Sequence, residues 1–411
     1  MIRRACLIGP AADEVIAGMP VIVRQALSLQ DAGIEILILV GLPSSALRRD
    51  RRVRLALVES SLDDASLRDA PTIVARAGTI WHPRIVRRLA RTAIDADGIV
   101  AVGSANAAVF LCGSNRVAEV VTAARADLPS APAKIAQAPE FVVDPRGDAG
   151  RREATRLLLR SLDKPADGFV SRHLHRPISR LVTRGLLSWP VTPNAMTLIA
   201  ALFGLAGVIV AARGGYLNLL AGAVLFELQN VLDGCDGEIA RLKYLRSRAG
   251  EWLDQVVDDL MNIAFLVAVG FGVSSGDADH WAARLAWIAL VAQVVHVIGL
   301  YAGLILKAGG RGSVATLRWW VGGGTETDPS SRFLGDLTRR DFYSLLYVIT
   351  AFLNVPVVAF VWHVVVTVCS AIVSTVQWIA WRGPEYQADT EGTVDTGGEP
   401  VAQEASARAS R

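Results

Sequence analysis

The sequence has few cysteines and little net charge, and each shortage narrows the class of protein. Its 411 residues include four cysteines with neither a CxxC pair nor metal-ligand spacing, which suits a reduced compartment or simple burial. The formal net charge of +3 is too small to indicate a nucleic-acid partner. The N-terminus lacks a sustained apolar stretch and a cleavage site, so it does not have the pattern of a signal peptide.

Charged residues are also scarce, and the apolar residues are unevenly distributed. Charged residues make up 20% of the chain and hydrophobic residues 52%. The first 165 residues alternate apolar and charged segments, as a soluble domain does. From about residue 195, apolar runs of roughly 16 to 25 residues recur, enough to cross a hydrocarbon layer about 30 Å thick. The sequence therefore predicts a soluble domain followed by a membrane domain.

Residues 1–150 are predicted to form an α/β domain. Short apolar runs typical of buried strands alternate with segments that have the spacing of amphipathic helices. We expect strands over 5–8, 34–40, 98–102 and 107–111, and helices over 20–32 and 83–96. Strands that alternate with helices favour a mainly parallel sheet in a three-layer arrangement.

Residues 151–190 are predicted to form a linker and a juxtamembrane amphipathic helix. An arginine recurs at every fourth position of this segment, at Arg172, Arg176, Arg180 and Arg184. On a helix these side chains form one basic stripe, which we expect to lie on anionic lipid headgroups. An ordinary solvated helix packed on the N-terminal domain is the alternative.

Residues 191–382 are predicted to form an all-α membrane bundle of six transmembrane helices. The predicted spans are 195–212, 217–233, 252–273, 282–305, 341–354 and 356–380. The loops on one side hold most of the lysines and arginines, and basic loops stay in the cytoplasm. We therefore expect a multi-pass protein of the cell inner membrane whose N-terminal domain and C-terminus are cytoplasmic. The polar tail, 383–411, is predicted to be disordered.

Four aspartates lie where the second and third predicted spans approach each other. Asp233 and Asp236 are three residues apart, and Asp254 and Asp258 are four apart, so each pair projects from one face of a helix. The short connection makes the two helices antiparallel neighbours, and the carboxylates can converge. Converging carboxylates repel one another unless a cation joins them, and all-oxygen ligands favour Mg²⁺ or Mn²⁺. The spacing therefore predicts a divalent metal site suited to a pyrophosphate substrate.

Two glycines and an arginine accompany the aspartates. Gly237 and Gly250 leave room for a ligand to approach the backbone, and Arg241 can neutralise phosphate charge. The alternative is that the aspartates cap helices or pair with the basic residues of the following loop. That explanation suits any one aspartate but not eight positions with fixed spacing.

The pattern resembles the signature of the CDP-alcohol phosphotransferase family, D-x2-D-G-x2-A-R-x8-G-x3-D-x3-D. The resemblance implies that Asp233, Asp236, Asp254 and Asp258 bind metal and that Asp258 also acts as the catalytic base. It further implies a set of CDP-binding residues: Gly237, Ala240, Arg241, Gly250, Asn194 and Thr197. The implied donor is CDP-linked, either CDP-diacylglycerol or CDP-inositol, and CMP is released to leave a phospholipid or a phosphodiester.

The acceptor site is less defined by the sequence. The resemblance implies an alcohol or alcohol phosphate, and Arg311, Arg339 and Arg340 are candidates to hold a phosphate such as that of inositol phosphate. They are equally explained as topology determinants or lipid headgroup contacts. Asp259, beside the motif, is turned from the face of its neighbours and is expected to be structural. We also expect membrane lipids and a second copy of the chain, in a homodimer, as partners.

The N-terminal domain resembles the nucleotidyltransferase domain of bifunctional inositol-1-phosphate cytidylyltransferase / di-inositol-phosphate phosphate synthase proteins. The segment 16–22 is similar to the second loop of that domain. The first loop should contain G-x-G-x-R followed by a lysine, but here 9–14 reads GPAADE, and no lysine precedes Lys134. Proline removes an amide donor and two acids repel a triphosphate. The domain is therefore predicted to be degenerate and inactive in nucleotide transfer.

Two other functions compete with the phosphotransferase hypothesis. A transporter with an intramembrane carboxylate site would also place aspartates in a bundle, but no repeat symmetry with paired broken helices is visible. A catalytically silent membrane scaffold would retain the fold and predicts that Asp258→Asn leaves any phenotype unchanged.

Overall fold

The structure is a computed structural model, and it divides the chain into two compact units. The first is built mainly on Met1–Asp163, and the second on Lys164–Arg241 with Leu245–Thr390. The residues described are 1–9, 14–61, 70–104, 107–125, 135–137, 141–162, 167–275, 279–308, 317–318, 335–381 and 385–386. Of the predicted tail 383–411, the described part is Glu385–Tyr386, and the rest lies outside the described residues.

The first unit contains a seven-stranded sheet. The strands of the whole unit, including those outside this sheet, are β1 (Arg4–Ile8), β2 (Val15–Ile16), β3 (Met19–Pro20), β4 (Ile36–Val40), β5 (Ala56–Ser60), β6 (Thr72–Arg76), β7 (Ile80–Trp81), β8 (Ile99–Ser104), β9 (Ala107–Cys112), β10 (Ile135–Gln137) and β11 (Val142–Val143). The sheet has the order β10-β8-β9-β6-β1-β4-β5, and β9 alone runs antiparallel to its neighbours. The short strands form two antiparallel pairs, β2 with β3 and β7 with β11. The predicted α/β class is confirmed, although the sequence patterns did not reveal β5, β6 and β10.

Both faces of this sheet are covered, as the predicted three-layer arrangement requires. The helices of the unit are α1 (Val21–Asp31), α2 (Ser45–Arg49), α3 (Pro83–Arg91), α4 (Val117–Arg125) and α5 (Gly147–Arg160). Along β1, Ala5 and Leu7 belong to one apolar cluster and Cys6 and Ile8 to another. Successive side chains of a strand point to opposite faces, so each face has its own core. Helix α1 ends at Asp31, within one residue of the predicted end, and after the C-cap Ala32 comes Gly33, whose φ of 90° suits glycine.

The second unit is helical. A π-helical turn, Ser171–His175, leads into α6 (Arg176–Leu186), and the remaining helices are α7 (Pro193–Ala211), α8 (Tyr216–Leu242), α9 (Arg248–Ser274), α10 (Trp281–Ala308), α11 (Arg340–Phe352) and α12 (Pro356–Trp381). Two short strands, β12 (Leu317–Arg318) and β13 (Glu385–Tyr386), pair antiparallel. A helix is therefore present at each of the six predicted spans.

Four of these helices are long and apolar enough to cross a membrane. They are Pro193–Ala211, Arg248–Ser274, Trp281–Lys307 and Pro356–Ala380. Helix α8 has sufficient length but carries acidic residues along its second half. Helix α11 has 13 residues, and its length of about 20 Å is less than the hydrocarbon thickness. The chain is an integral membrane protein, and the prediction of six spans is supported for four helices.

Small and aromatic side chains hold the bundle together. A methyl group on Gly272 of α9 would lie 2.2 Å from the carbonyl oxygen of Ala211 on α7, so these helices approach too closely for a larger residue. Phe226 of α8 stacks on Phe265 of α9 with 4.0 Å between ring centroids, and Tyr347 of α11 packs edge-on against Phe265 at 5.2 Å. These ring contacts hold α8, α9 and α11 against one another.

Candidate metal and substrate site

Three of the four predicted metal-binding aspartates converge between α8 and α9. Asp233, Asp236 and Asp254 each offer one carboxylate oxygen, and these oxygens lie within 4.8 Å of one another. Asp236 is buried and the other two are half-buried. A single ion can contact all three carboxylates at such separations, and oxygen donors suit a hard divalent cation.

Asp258 is joined to the cluster through Arg340. One guanidinium nitrogen of Arg340 lies 2.6 Å from Asp258 and the other 3.0 Å from Asp233. This arginine, a predicted acceptor-binding residue, lies between two of the metal-binding candidates. One guanidinium balances four carboxylates only in part, so the cluster keeps an excess of negative charge for a cation.

The start of α7 contacts both aspartate-bearing helices. Thr192 caps this helix by accepting a hydrogen bond from the amide of Ala195, and Pro193 occupies its first turn. One turn later, the hydroxyl of Thr197 donates to Oδ2 of Asp236. The side chain of Asn194 lies against Gly250, where a methyl group would be 3.0 Å from Oδ1 of Asn194. The structure thus brings both of these predicted CDP-binding residues to the cluster.

The other predicted CDP-binding residues follow one face of α8. Gly237, Ala240 and Arg241 are all half-buried and lie within little more than one helical turn. A methyl group on Gly237 would meet no atom within 4 Å, so protein packing does not require glycine there. The space beside Gly237 suits the close approach of a ligand.

Of the remaining acceptor candidates, the structure describes Arg339. Arg339 pairs with Asp341 at 3.5 Å, and its side chain is 44% exposed. Arg311 lies outside the described residues. Asp259 accepts hydrogen bonds from Tyr301 at 2.8 Å and from Gln255 at 3.1 Å, which agrees with the expected structural role.

The juxtamembrane segment presents a polar face to α8. Glu238 of α8 is fully buried and accepts hydrogen bonds from Ser179 and Thr183, each at 2.7 Å. Glu227 lies 2.7 Å from Nε2 of His175 and accepts a hydrogen bond from Ser344 of α11 at 2.6 Å. The segment therefore supplies partners for two buried carboxylates on the helix that carries Asp233 and Asp236.

The predicted stripe of lipid-facing arginines is wrong for Arg176. Its guanidinium pairs with Asp167 at 2.9 Å and with Glu238 at 3.4 Å. The large apolar residues of α6 are the exposed ones, with Leu181 70% exposed and Ile178 41%. Buried carboxylates in a membrane protein require partners, and this requirement turns the polar face of the segment inward.

Sequence reasoning missed Glu227 and Glu238, although a signal was present. Both lie in the predicted second span or directly after it, and an acid within an apolar helix indicates a bundle interior with a partner. Their partners on the juxtamembrane segment come more than 50 positions earlier in the chain. Local periodicity contains no information on such pairs.

The fold and the site define an integral membrane protein with a cluster of converging carboxylates inside its helical unit. Residues 190–369 match the family model described as CDP-alcohol phosphatidyltransferase. The helical part of the chain is therefore similar to proteins of the CDP-alcohol phosphatidyltransferase family. The predicted resemblance is thereby confirmed.

Three curated proteins from three organisms have sequences related to this chain. A bifunctional IPC transferase and DIPP synthase of Thermococcus kodakarensis is 36% identical over 141 residues, which cover 34% of this chain and 32% of that protein. The protein of the same name from Aquifex aeolicus is 37% identical over 116 residues, 28% of this chain and 26% of the relative. The inner membrane protein YnjF of Escherichia coli is 32% identical over 122 residues, 29% of this chain and 55% of the relative. The matches therefore span about a third or less of the length of the two bifunctional relatives.

Proposed function

We propose that this protein transfers a phospho-group from a CDP-linked donor to the hydroxyl of an alcohol and releases CMP. The observation that carries the proposal is the convergence of Asp233, Asp236 and Asp254, whose oxygens lie within 4.8 Å of one another, in a helical unit similar to the CDP-alcohol phosphatidyltransferase family. A diphosphate needs a concentrated positive charge at the reacting centre, and these carboxylates are suited to hold it.

A divalent metal, Mg²⁺ or Mn²⁺, is the proposed cofactor. The residues present fit such an ion because the donors are all oxygen and because Oδ1 of Asp254 is buried without a hydrogen-bond partner. Asp233, Asp236 and Asp254 would hold the ion, with Asp258 as a further ligand. When bound, the ion polarises the diphosphate and stabilises the departing CMP.

Asp258 is the proposed catalytic base. Its carboxylate accepts the proton of the acceptor hydroxyl as the hydroxyl oxygen attacks the phosphorus atom next to the donor alcohol. The bond from that phosphorus to the bridging oxygen breaks, and CMP leaves with the electron pair. The contact of 2.6 Å with Arg340 supports this role because it fixes the orientation of the carboxylate.

The donor nucleotide is proposed to lie over Gly237, Ala240 and Arg241, with Asn194, Thr197 and Gly250 at its edge. The open space beside Gly237 supports this placement. CDP-diacylglycerol and CDP-inositol both remain candidate donors, and inositol phosphate is the candidate acceptor. Arg311, Arg339 and Arg340 are proposed contacts for the acceptor phosphate. The IPC transferase and DIPP synthase activities named for the two bifunctional relatives are those proteins' own, and they motivate the choice of inositol compounds as candidates here.

The N-terminal unit is proposed to have lost nucleotide transfer and to serve a structural or regulatory purpose. Residues 10–13, which carry most of the changed first loop, lie outside the described residues. The described Glu14 at the end of this loop supports the proposal, since a carboxylate there repels a triphosphate. We also propose a homodimer in the cell inner membrane, with the N-terminal unit and the C-terminus in the cytoplasm.

A donor and acceptor panel tests the proposed reaction. Purified protein with Mg²⁺ or Mn²⁺ should release CMP from one CDP-alcohol only when an acceptor alcohol is added. Asp258→Asn should reduce this release at least about a hundredfold, as expected when a general base is removed. CMP release that is absent throughout a panel of CDP-diacylglycerol and CDP-inositol with several acceptors would refute the proposal.

A further inference from the structure

A second layer of polar side chains lies directly beneath the carboxylate cluster. Asn230 precedes Asp233 by three residues on α8, and Asn262 follows Asp258 by four residues on α9. Residues three or four apart share a helix face, so each asparagine lies one turn further into the bundle than its aspartate. Tyr343 stands in the same relation to Arg340 on α11.

The layers above and below show that the three helices face a common space at this level. Above, Arg340 contacts Asp233 and Asp258. Below, the aromatic rings of α8, α9 and α11 pack together, with centroid separations of 4.0 and 5.2 Å. Within the middle layer, the Tyr343 hydroxyl donates to Oδ1 of Asn262 at 2.8 Å. The side chain of Asn230 completes this layer from α8.

Asn230 is buried, and its amide has no hydrogen-bond partner among the described residues. The residue is 6% exposed, and both its Oδ1 and its Nδ2 are buried without a hydrogen bond. Buried amides in proteins nearly always find partners, because an unsatisfied one is costly. An unpaired donor and an unpaired acceptor beside a substrate site indicate a ligand that fills both.

The chemistry of the amide selects the ligand class. A phosphate oxygen or an ester carbonyl accepts only and would leave Oδ1 unsatisfied, whereas a metal ion would engage Oδ1 and leave Nδ2 unsatisfied. A hydroxyl group can donate to Oδ1 or accept from Nδ2, so hydroxyl groups are the ligand chemistry that suits both atoms of Asn230. The Tyr343 oxygen, having donated its hydrogen to Asn262, can accept from the same ligand.

We propose that Asn230 binds a non-reacting hydroxyl of a polyol substrate, one helical turn deeper than the metal-binding aspartates. This inference rests on the proposed phosphotransferase function, because it assumes that the substrate occupies the cluster above. The reacting hydroxyl must lie at Asp258, so a second hydroxyl at Asn230 requires at least a diol. Asn230 is then a specificity-determining residue for polyhydroxylated alcohols over simple ones.

Binding measurements test this site without relying on turnover. Equilibrium dialysis of detergent-solubilised protein with Mg²⁺ would use myo-inositol 1-phosphate in one arm and CDP-inositol in the other, which distinguishes an acceptor polyol from a donor polyol. Each probe would be compared with analogues that lack one hydroxyl. The variants are Asn230→Ala and Asn230→Ser. Gln229→Ala is the matched control, because this adjacent buried amide faces another helix, where a methyl group on Gly204 of α7 would lie 2.7 Å from its Oε1.

In one arm, removal of a single hydroxyl should weaken binding to the wild-type protein about tenfold, the usual effect of one buried hydrogen bond. Both Asn230 variants should weaken binding of the parent compound by a similar factor and bind the deoxy analogue as the wild type does. Gln229→Ala should retain the preference of the wild type. Equal sensitivity to every deoxy analogue in wild type and Asn230 variants would overturn the site, as would failure of the wild type to bind either probe.

CMP release, measured on the same preparations, separates the two hypotheses. Hydroxyl discrimination that depends on Asn230 without any CMP release would contradict the proposed function and leave the hydroxyl site standing. CMP release without any effect of Asn230 on hydroxyl discrimination would contradict the hydroxyl site and leave the proposed function standing.

Discussion

Arg340 is the residue whose placement most constrains the chemistry of the cluster. Its guanidinium contacts Asp258 at 2.6 Å and Asp233 at 3.0 Å, so it orients the proposed base and shields two carboxylates from each other. We expect Arg340→Ala to lower kcat about 10- to 100-fold, because a buried carboxylate without its partner shifts position and protonation. Arg340→Lys should recover part of the loss. Arg184→Ala, which removes an exposed arginine of α6, is the control and should leave kcat within about threefold.

Metal binding can be tested at Asp254 by a readout other than activity. Mg²⁺ or Mn²⁺ should raise the apparent Tm of the wild-type protein in a concentration-dependent way, because a ligand of the folded state stabilises it. Asp254→Asn should abolish most of this shift. The neighbouring carboxyl of Asp259 is bonded to Tyr301 and Gln255, so Asp259→Asn should keep the metal-dependent shift even if the starting Tm falls. An equal shift in all three proteins would contradict the assignment.

Two cysteines of the N-terminal unit should be chemically inert in the folded state. Burial raises the pKa of the Cys6 thiol and of the Cys112 thiol to about 12. Their thiolate fractions at pH 8 are then negligible, so native protein should resist iodoacetamide at both positions, whereas unfolded protein should react. Because the pKa is higher in the folded state, the protonated thiols stabilise the fold below the unfolded pKa of about 8.5. This contribution to the free energy of unfolding is lost as the pH rises toward 12. Mass spectrometry of the alkylated peptides provides the measurement.

At the residue scale, the sequence predicted groups that are close along the chain and missed those joined across it. The spacing of Asp233 and Asp236, and of Asp254 and Asp258, follows from helix periodicity, so their convergence could be anticipated. Arg340 is far from these aspartates in sequence, and its contact with them depends on how α11 packs. The same holds for Asn230, whose importance depends on the absence of a partner rather than on a motif.

The element that positions the cluster is the juxtamembrane segment 171–186 together with α8. Ser179 and Thr183 donate hydrogen bonds to Glu238, and His175 is hydrogen-bonded to Glu227. The two glutamates are at least two helical turns apart on α8, so these contacts hold the helix against rotation. Asp236 lies two residues before Glu238 in the same helix. A small rotation of α8 would therefore displace the metal ligands, and displacements of about 1 Å are enough to reduce catalysis.

Substitution of the buried acid tests this mechanical link. Glu238→Gln keeps the shape of the side chain but weakens the bonds to Ser179, Thr183 and Arg176, and we expect kcat to fall about tenfold with a smaller change in KM. Glu251→Gln, an exposed acid at the start of α9, is the control and should change kcat little. A fall in Tm without any change in kcat would indicate that the contact serves stability alone.

Helix boundaries were predicted well because the residues that end a helix are close in sequence. Strands and faces that depend on packing against other elements were predicted poorly. The predicted span 195–212 agrees with α7, Pro193–Ala211, to within two residues, and the predicted helix 20–32 agrees with α1, Val21–Asp31, to within one. Strand β6 lies between β1 and β9 and has four fully buried residues, so its short apolar run gave no alternating pattern. The inward placement of Arg176 was not predicted, because an arginine stripe has the same spacing whether its side chains meet lipid headgroups or buried carboxylates.

At the scale of the whole molecule, we expect one assay to give a different result for each of the two units. The purified protein should consume no CTP when supplied with myo-inositol 1-phosphate and Mg²⁺, because residues 9–14 read GPAADE and lack the second glycine and the arginine of the G-x-G-x-R loop that the resemblance implies. The same preparation should release CMP from a supplied CDP-alcohol. Release of pyrophosphate from CTP would contradict the predicted loss of function in the N-terminal unit. A nucleotidyltransferase of known activity, assayed in parallel, controls for detection.

The bonds of α8 also have a consequence for the order in which the protein is assembled during synthesis. Glu227 is satisfied by His175, which is translated earlier, and by Ser344, which is translated more than 100 residues later. A nascent chain that has emerged only as far as α10 therefore holds a half-satisfied acid in a helix that is predicted to span the membrane. We expect α8 to remain beside the translocon, shielded by the segment that precedes α7, until α11 leaves the ribosome. Membrane insertion of the catalytic helix would then be among the last steps of biogenesis rather than the second.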